Sequence, residues 1–435
     1  MNDNSINGFS DRFNKAQKVF LLASGPAGST CLQSFFDSNP QVLMVPTVFK
    51  AYKLFNETKN MSADDMASFI SDKSTLRYIF HNKKTLKLGD FSNFQISRNV
   101  FSEEFGKYWK RGVRNEKRFL ESVHYAFMMA TGRILHDFNT IIVHFHTGQD
   151  VPQLLNDYPD AKWLIIVRNP IAMFYSNFIR YQTYRGCNYG YDYCWMQALL
   201  SIRSSMDCQS NIPELEKLKK DRYFIIKNED MNSNPEVVIK DIANKIGIDF
   251  NDNLLSSTIG GVPYVSISPL NKEIMGASKK TLEPKHKKEL SEKDILYLES
   301  FYKNDIEKYN YNFETRADFN KEHMYRYKIG NKSLLYKIKF IIRCLGQPNN
   351  DEMLLLDDDR TVLQAIIERH IILKKISKMS GDGFIKVLLT VYFLINSIKI
   401  NKKLRKDVNA NIKIITMDKK PKDIIQSPSK YLVSA

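Results

Sequence analysis

A continuous apolar run at residues 18–24, Lys-Val-Phe-Leu-Leu-Ala-Ser, leads directly into Gly25-Pro26-Ala27-Gly28-Ser29-Thr30. The next residues have the apolar spacing of a helix that ends near Asn39-Pro40. A glycine loop between a buried strand and a helix offers backbone N–H groups to an anion, and here two hydroxyls as well. The helix N-terminus adds about half a positive charge, so a phosphate or sulfate is favoured at that point. The loop is not a Walker A sequence, because that motif needs a lysine where this chain has no basic residue, and it does not match G-x-G-x-x-G. Taken alone, it also fits a tight turn whose hydroxyls merely cap the helix. A second anion candidate stands at the end of another apolar run, residues 161–167. There Arg168 is followed eight residues later by Ser176 inside a helix-patterned segment. An arginine can grip a phosphate through two N–H groups; the alternative is a buried salt bridge with the serine facing water. Both candidates fall at carboxyl ends of strands, where open parallel sheets gather their ligands.

The elements that must position these residues follow from pattern. Buried strands are predicted at 18–24, 140–145, 161–167 and 222–227, and helices follow the first and third. Pro235 opens an amphipathic helix that Gly247 closes. Strands alternating with helices predict an α/β fold, a mostly parallel sheet covered by helices on both faces. Residues 60–135 read as helical and aromatic-rich, and 260–290 as a long, lysine-rich loop. The chain has 435 residues with 43 % hydrophobic and 26 % charged side chains, which is ordinary globular composition and excludes a chain disordered throughout. Its formal charge of +16 favours anionic partners without choosing among them. The excess is uneven: residues 1–315 net +4, and residues 316–435 net +12.

Five cysteines form no metal-binding pattern, so reduced thiols and no zinc site are expected. The N-terminal segment is polar and lacks the apolar core of a signal peptide, which predicts a cytoplasmic protein. The longest apolar stretch, 384–400, is broken by Lys386 and Lys399 and falls short of the ~20 residues that span a bilayer. Basic, apolar-periodic helices are expected over 316–435, with a loosely ordered end. That extension either packs as a helical subdomain with solvated lysines or docks peripherally on an anionic membrane surface or an acidic glycan. No recognised nucleic-acid-binding module is present, and no nucleic acid partner is expected.

Three segments together resemble the sulfotransferases that use 3′-phosphoadenosine 5′-phosphosulfate (PAPS). Ala27-Gly28-Ser29-Thr30-Cys31-Leu32 and Asp37-Ser38-Asn39-Pro40 are similar to that family's first signature. Tyr158-Pro159-Asp160-Ala161-Lys162-Trp163, with Arg168-Asn169-Pro170 and Ser176, resembles the second. Asn228-Glu229-Asp230-Met231, Pro235 and Ile246-Gly247 resemble the third. The resemblance covers residues 16–315 and implies one P-loop-like α/β domain there, followed by the basic extension at 316–435.

It implies further that Ala27, Gly28, Ser29 and Thr30 hold the 5′-phosphosulfate and that Arg168 and Ser176 hold the 3′-phosphate, with no metal. The acceptor is then a hydroxyl, and the carbohydrate-type form of the second signature points to a sugar. In the family a His or Glu near the strand at 140–145 takes the acceptor proton. His146 is the first candidate here and His144 the second; two residues apart in a strand, they face the same side. Packed, hydrogen-bonded histidines are the alternative, and Glu103, Glu104 or Glu121 could serve instead. Two positions depart from the family. Pro26 stands where a basic residue is usual, and Lys18, Lys50 or a lysine from 272–288 is expected to replace it. Asn228 stands where a tyrosine is common and puts adenine stacking in question. Lys279 and Lys280 either reach the 3′-phosphate or form a solvated charge run. Pro26 leaves a second possibility open, a sulfotransferase-like protein that binds nucleotide or glycan with little or no turnover.

Overall fold

Residues 3–315 are described by the computed structural model, apart from 24, 83, 86–88, 134–136, 147, 185–193, 196–197, 200, 203–204, 207–212, 219 and 269–271. The basic extension expected over 316–435 lies outside the described residues.

The run at 18–24 forms β1 (Gln17–Ala23), and it is apolar throughout because it is an inner strand of a parallel sheet, covered on two sides. Four more strands join it: β2 (Val42–Val48), β3 (Thr140–Phe145), β4 (Lys162–Val167) and β5 (Tyr223–Lys227). Their order across the sheet is β2-β3-β1-β4-β5, and every pairing is parallel. The architecture is therefore a parallel five-stranded, P-loop-like α/β sheet flanked by helices. All five carboxyl ends lie along one edge. The chain leaves β1 toward β2 and leaves β4 toward β5, in opposite directions, so the strand order reverses between β1 and β4. A reversal of that kind opens a crevice for ligands.

β2 has no counterpart among the predicted strands, because Pro46 interrupts it. The structure accommodates the proline at the sheet edge: the pairing with β3 runs regularly from Val42 to Met44, shifts, and resumes at Val48 opposite His144. The polar N-terminus also conceals an element, helix α1 (Asp3–Lys15), whose Ile6, Phe9 and Phe13 form a buried stripe. Lys18 reaches back to the end of α1. Its Nζ donates to the carbonyls of Phe13, Asn14 and Ala16, groups that a helix end leaves unpaired. Burial lowers the Lys18 ammonium to about 8.

Helix α2 (Ser29–Phe36) follows the glycine loop, and Asp37 clamps its end. This carboxylate accepts from Arg133 Nη1 at 3.2 Å, Thr258 Oγ1 at 3.0 Å and the Gly261 amide at 2.8 Å. The first signature's Asp37 thus ties α2 to the turn at 258–261. Helix α3 (Ala51–Thr58) follows β2, and the helical reading of 60–135 is met by α4 (Arg98–Trp109) and α5 (Glu116–Thr131) among others. Their aromatic residues build the core on that side; Phe9, for example, meets the rings of Tyr108, Tyr125 and Phe138 at 5.0–5.6 Å. Helix α6 (Pro170–Tyr184) follows β4. Helix α7 (Asn228–Ser233) follows β5, and α8 (Pro235–Ile246) closes on left-handed Gly247 as predicted. The segment 260–290, read as a loop, contains short antiparallel pairings, 258–259 with 262–263 and 265–268 with 272–275, and a tight turn at 279–282. Among the described residues no helix is long and apolar enough to cross a membrane.

Candidate active site

The site is assembled from what immediately follows each strand. After β1, the loop turns through two glycines in the left-handed region, Gly25 (φ 56°) and Gly28 (φ 89°). No side chain caps α2, whose first turn begins directly at Ser29. An added Cβ on Gly28 would collide with the side-chain nitrogen Nδ2 of Asn228, the first residue of α7. Gly28→Ala therefore meets both a left-handed backbone cost of about 1–2 kcal/mol and a steric overlap. Urea unfolding should show a stability loss of at least that size; an unchanged midpoint would mean that the loop does not hold this conformation.

After β4, Arg168 leans across the crevice, its Nη1 donating to the carbonyl of Pro26 at 3.3 Å. The two anion candidates therefore stand on adjacent strand ends, on the same edge of the sheet. Burial lowers the Arg168 guanidinium from its ordinary value, and the neighbouring Glu229 and Tyr311 oppose that shift. Glu229, from the third signature, is a junction. It accepts from the Asn169 amide at 2.9 Å and from the Tyr311 hydroxyl at 2.9 Å. Sequence reasoning matched Glu229 to a motif without giving it a role, and nothing in the pattern indicated Tyr311. Ser176 lies two turns into α6, part-buried, and its hydroxyl makes no hydrogen bond among the described residues. The structure does not join it directly to Arg168.

At the end of β3, His144 and, one residue past the strand, His146 share one side as their spacing predicted. His146 Nε2 is 3.1 Å from Ser29 Oγ and 3.1 Å from His144 Nε2. His144 is fully buried, its Nδ1 2.9 Å from Gln33 Oε1, and burial holds its imidazole well below the ordinary histidine range. The three glutamates named as alternatives are committed elsewhere. Glu103 and Glu104 both pair with Lys107, and Glu121 accepts from Tyr108 and Arg118. Gln33 was missed, although its place four residues after Ser29 put both on one helix face.

Of the proposed replacements for the basic residue at Pro26, Lys18 is corrected outright. It sits at the opposite end of β1, roughly 16 Å along the strand from Ala23, with its charge spent on α1. Lys50 is better placed, since it follows β2 directly and is 9 % exposed. The amide of its neighbour Phe49 donates to His144 O at 2.7 Å. Lys50 and Lys53 both act on Asp150, whose carboxyl burial raises to about 6 against their opposing pull. Lys279 and Lys280 are exposed on the turn at 279–282. That turn is held to α7 through the Ser278 amide and Asn232 Oδ1, 2.9 Å apart. Among the described residues no group of three His, Cys, Asp or Glu side chains is placed to hold a metal.

No curated protein matches the chain. Similar solved structures include the sulfotransferase domain of an olefin synthase from Synechococcus PCC 7002, 17 % identical, covering 56 % of this chain and 78 % of that one with a TM-score of 0.36. Another is the sulfotransferase domain of the curacin biosynthetic pathway, 12 % identical over 69 % of this chain and 99 % of that one, TM-score 0.38. A third is a sulfotransferase from Alicyclobacillus acidocaldarius, 12 % identical over 68 % and 96 %, TM-score 0.36. The assignment rests on the family profile, which matches more than half of the sequence: across residues 18–252, from the first residues of β1 to past the end of α8, this chain belongs to the Sulfotransferase family.

Proposed function

We propose that the protein transfers a sulfuryl group from PAPS to a hydroxyl group, with a carbohydrate as the acceptor. The observation that supports this most is the adjacency of the glycine loop and Arg168 at the tips of β1 and β4, with His146 touching the loop's Ser29. The acceptor class rests on the form of the second signature alone.

The donor, when bound, supplies an electrophilic sulfur and a bisphosphate leaving group. Ala27, Gly28, Ser29 and Thr30 would receive the 5′-phosphosulfate, since left-handed glycines and an uncapped helix start leave amides for an anion. Arg168 would take the 3′-phosphate, with Ser176 from α6 and Lys279 or Lys280 from the 279–282 turn completing it. Asn228 serves the loop, against which it packs, rather than the adenine. His146 accepts the proton of the acceptor hydroxyl, whose oxygen attacks sulfur as the bridging sulfur–oxygen bond breaks. The loop amides, the Ser29 hydroxyl and Lys50 meet the charge that collects on the departing phosphate oxygen. Lys50 takes the part of the basic residue that Pro26 replaces.

Adenosine 3′,5′-bisphosphate should raise the melting temperature, whereas ATP with magnesium should not. Arg168→Ala should weaken the bisphosphate by about 1.5–3 kcal/mol, the scale of a hydrogen bond to a charged group; an unchanged titration would remove Arg168 from the site. Labelled-sulfate transfer to a glycan panel tests the acceptor class. Pro26 favours one other reading, a nucleotide- or glycan-binding protein with little turnover. Bisphosphate binding with no transfer to any hydroxyl acceptor would select it.

A further inference from the structure

The order of hydrogen bonds behind His146 is fixed by a backbone carbonyl. Gln33 Nε2 lies 2.7 Å from Val45 O, an atom that can only accept. The Gln33 amide nitrogen must therefore face Val45, and its oxygen must face His144. That oxygen can only accept, so His144 Nδ1, 2.9 Å away, carries the proton. A neutral imidazole protonated at Nδ1 has a lone pair at Nε2. His144 is fully buried and its pKa is displaced downward, so the ring is neutral. Its Nε2 then accepts, and the partner 3.1 Å away, His146 Nε2, must donate.

From this order we infer that Gln33 and His144 are positioning residues, which hold His146 in the tautomer protonated at Nε2 and leave Nδ1 as its basic nitrogen. Two consequences follow. Ser29 Oγ, also 3.1 Å from His146 Nε2, can only share that N–H as a second acceptor, so the hydroxyl proton of Ser29 is left to donate to an anion on the loop. When His146 Nδ1 receives a proton, the imidazolium keeps its Nε2–H on a neutral acceptor. The O–H bond of the acceptor is then exchanged for the Nδ1–H bond, with no other proton moving. This inference rests on His146 being the base under the proposed function, but the tautomer order holds in the resting protein regardless.

The register shift in β2 is part of the device. Val45 falls within the irregular stretch between Met44 and Val48, and its carbonyl takes the Gln33 amide. Bulges recur beside active sites because they re-aim a group in this way.

The test starts with the unmodified full chain, labelled with ring-15N histidine. Long-range proton–nitrogen correlation spectra, assigned with His144→Gln and His146→Gln, should show His144 protonated at Nδ1 and His146 at Nε2. A proton on His144 Nε2 would overturn the inference. In turnover assays His144→Leu should lower kcat by about 10²-fold or more with KM nearly unchanged, as expected when a base loses its tautomer. His144→Gln, whose side-chain oxygen can accept from His146 Nε2–H, should recover most of that loss. Equal losses in the Leu and Gln variants, both folded and both binding the bisphosphate, would reduce His144 to packing. If the tautomers are as stated but His146→Gln retains full activity, the relay stands and the assignment of His146 as the base fails.

Discussion

Replacing His146 with alanine should lower sulfuryl transfer by about 10²–10⁴-fold, the usual contribution of a positioned general base, while bisphosphate binding stays nearly unchanged. The expected size is large because the other candidate bases, all among the described residues, are engaged elsewhere. His144 is buried, and its Nδ1 is occupied by Gln33. Glu103 and Glu104 hold Lys107, and Glu121 is bound to Tyr108 and Arg118. Binding should survive because the loop amides and Arg168 do not depend on the imidazole. Labelled-sulfate transfer and a bisphosphate titration on the same preparation separate the two effects, and full turnover in the variant would show that the acceptor proton leaves by another route.

Acidification from pH 6.5 to 4 should remove about 3 kcal/mol of stability through His124 alone. This side chain in α5 is buried against Phe13, and its Nδ1 donates to Leu120 O at 2.8 Å. Its Nε2 has no hydrogen-bond partner among the described residues, and a proton there would bury a charge close to Lys18. Burial accordingly lowers His124 to about 4 from an ordinary 6.5. Between those values the unfolded chain binds more protons than the folded one, so stability is complete above pH 6.5 and declines as pH falls toward 4. Each unit of difference corresponds to about 1.4 kcal/mol. His144 is displaced the same way and adds to the loss. The three tryptophans, Trp109, Trp163 and Trp195, are all buried within the described residues, so their fluorescence follows urea unfolding of this part of the chain. His124→Leu should flatten the pH dependence by roughly the stated amount, and parallel curves for variant and wild type would show that His124 titrates normally.

Much of the frame was legible because its signals are local. The apolar runs became β1, β3 and β4, since an inner parallel strand must be apolar on both faces, and the edge strand β5, whose Ile225 is exposed. Left-handed glycines at 28 and 247 mark a helix start and a helix end that glycine alone fits comfortably. The positions of the loop and Arg168, directly after strand ends, and of His144 and His146, in and just past the end of β3, were readable in the pattern. What escaped was set by distant partners. β2 was hidden by Pro46, which an edge position and a register shift accommodate. α1 was hidden by a polar composition that masks a three-residue stripe. Lys18 looked available only because α1 had not been recognised. Tyr311 acts through a contact 82 residues away in the chain, which no spacing rule reaches, and the helical spacing of Gln33 from Ser29 gives no hint of its contact with His144, 111 residues on.

Pro46 also has a bearing on how the molecule behaves in company. A sheet border with a regular row of free amides and carbonyls invites a strand from another chain to extend it. Strand β2 lacks one donor at the proline and loses its even spacing between Met44 and Val48. A foreign strand would meet a border that is short, irregular between Met44 and Val48, and made of buried residues along its whole length. The same residue that disguises β2 thus blunts self-association on that flank of the sheet.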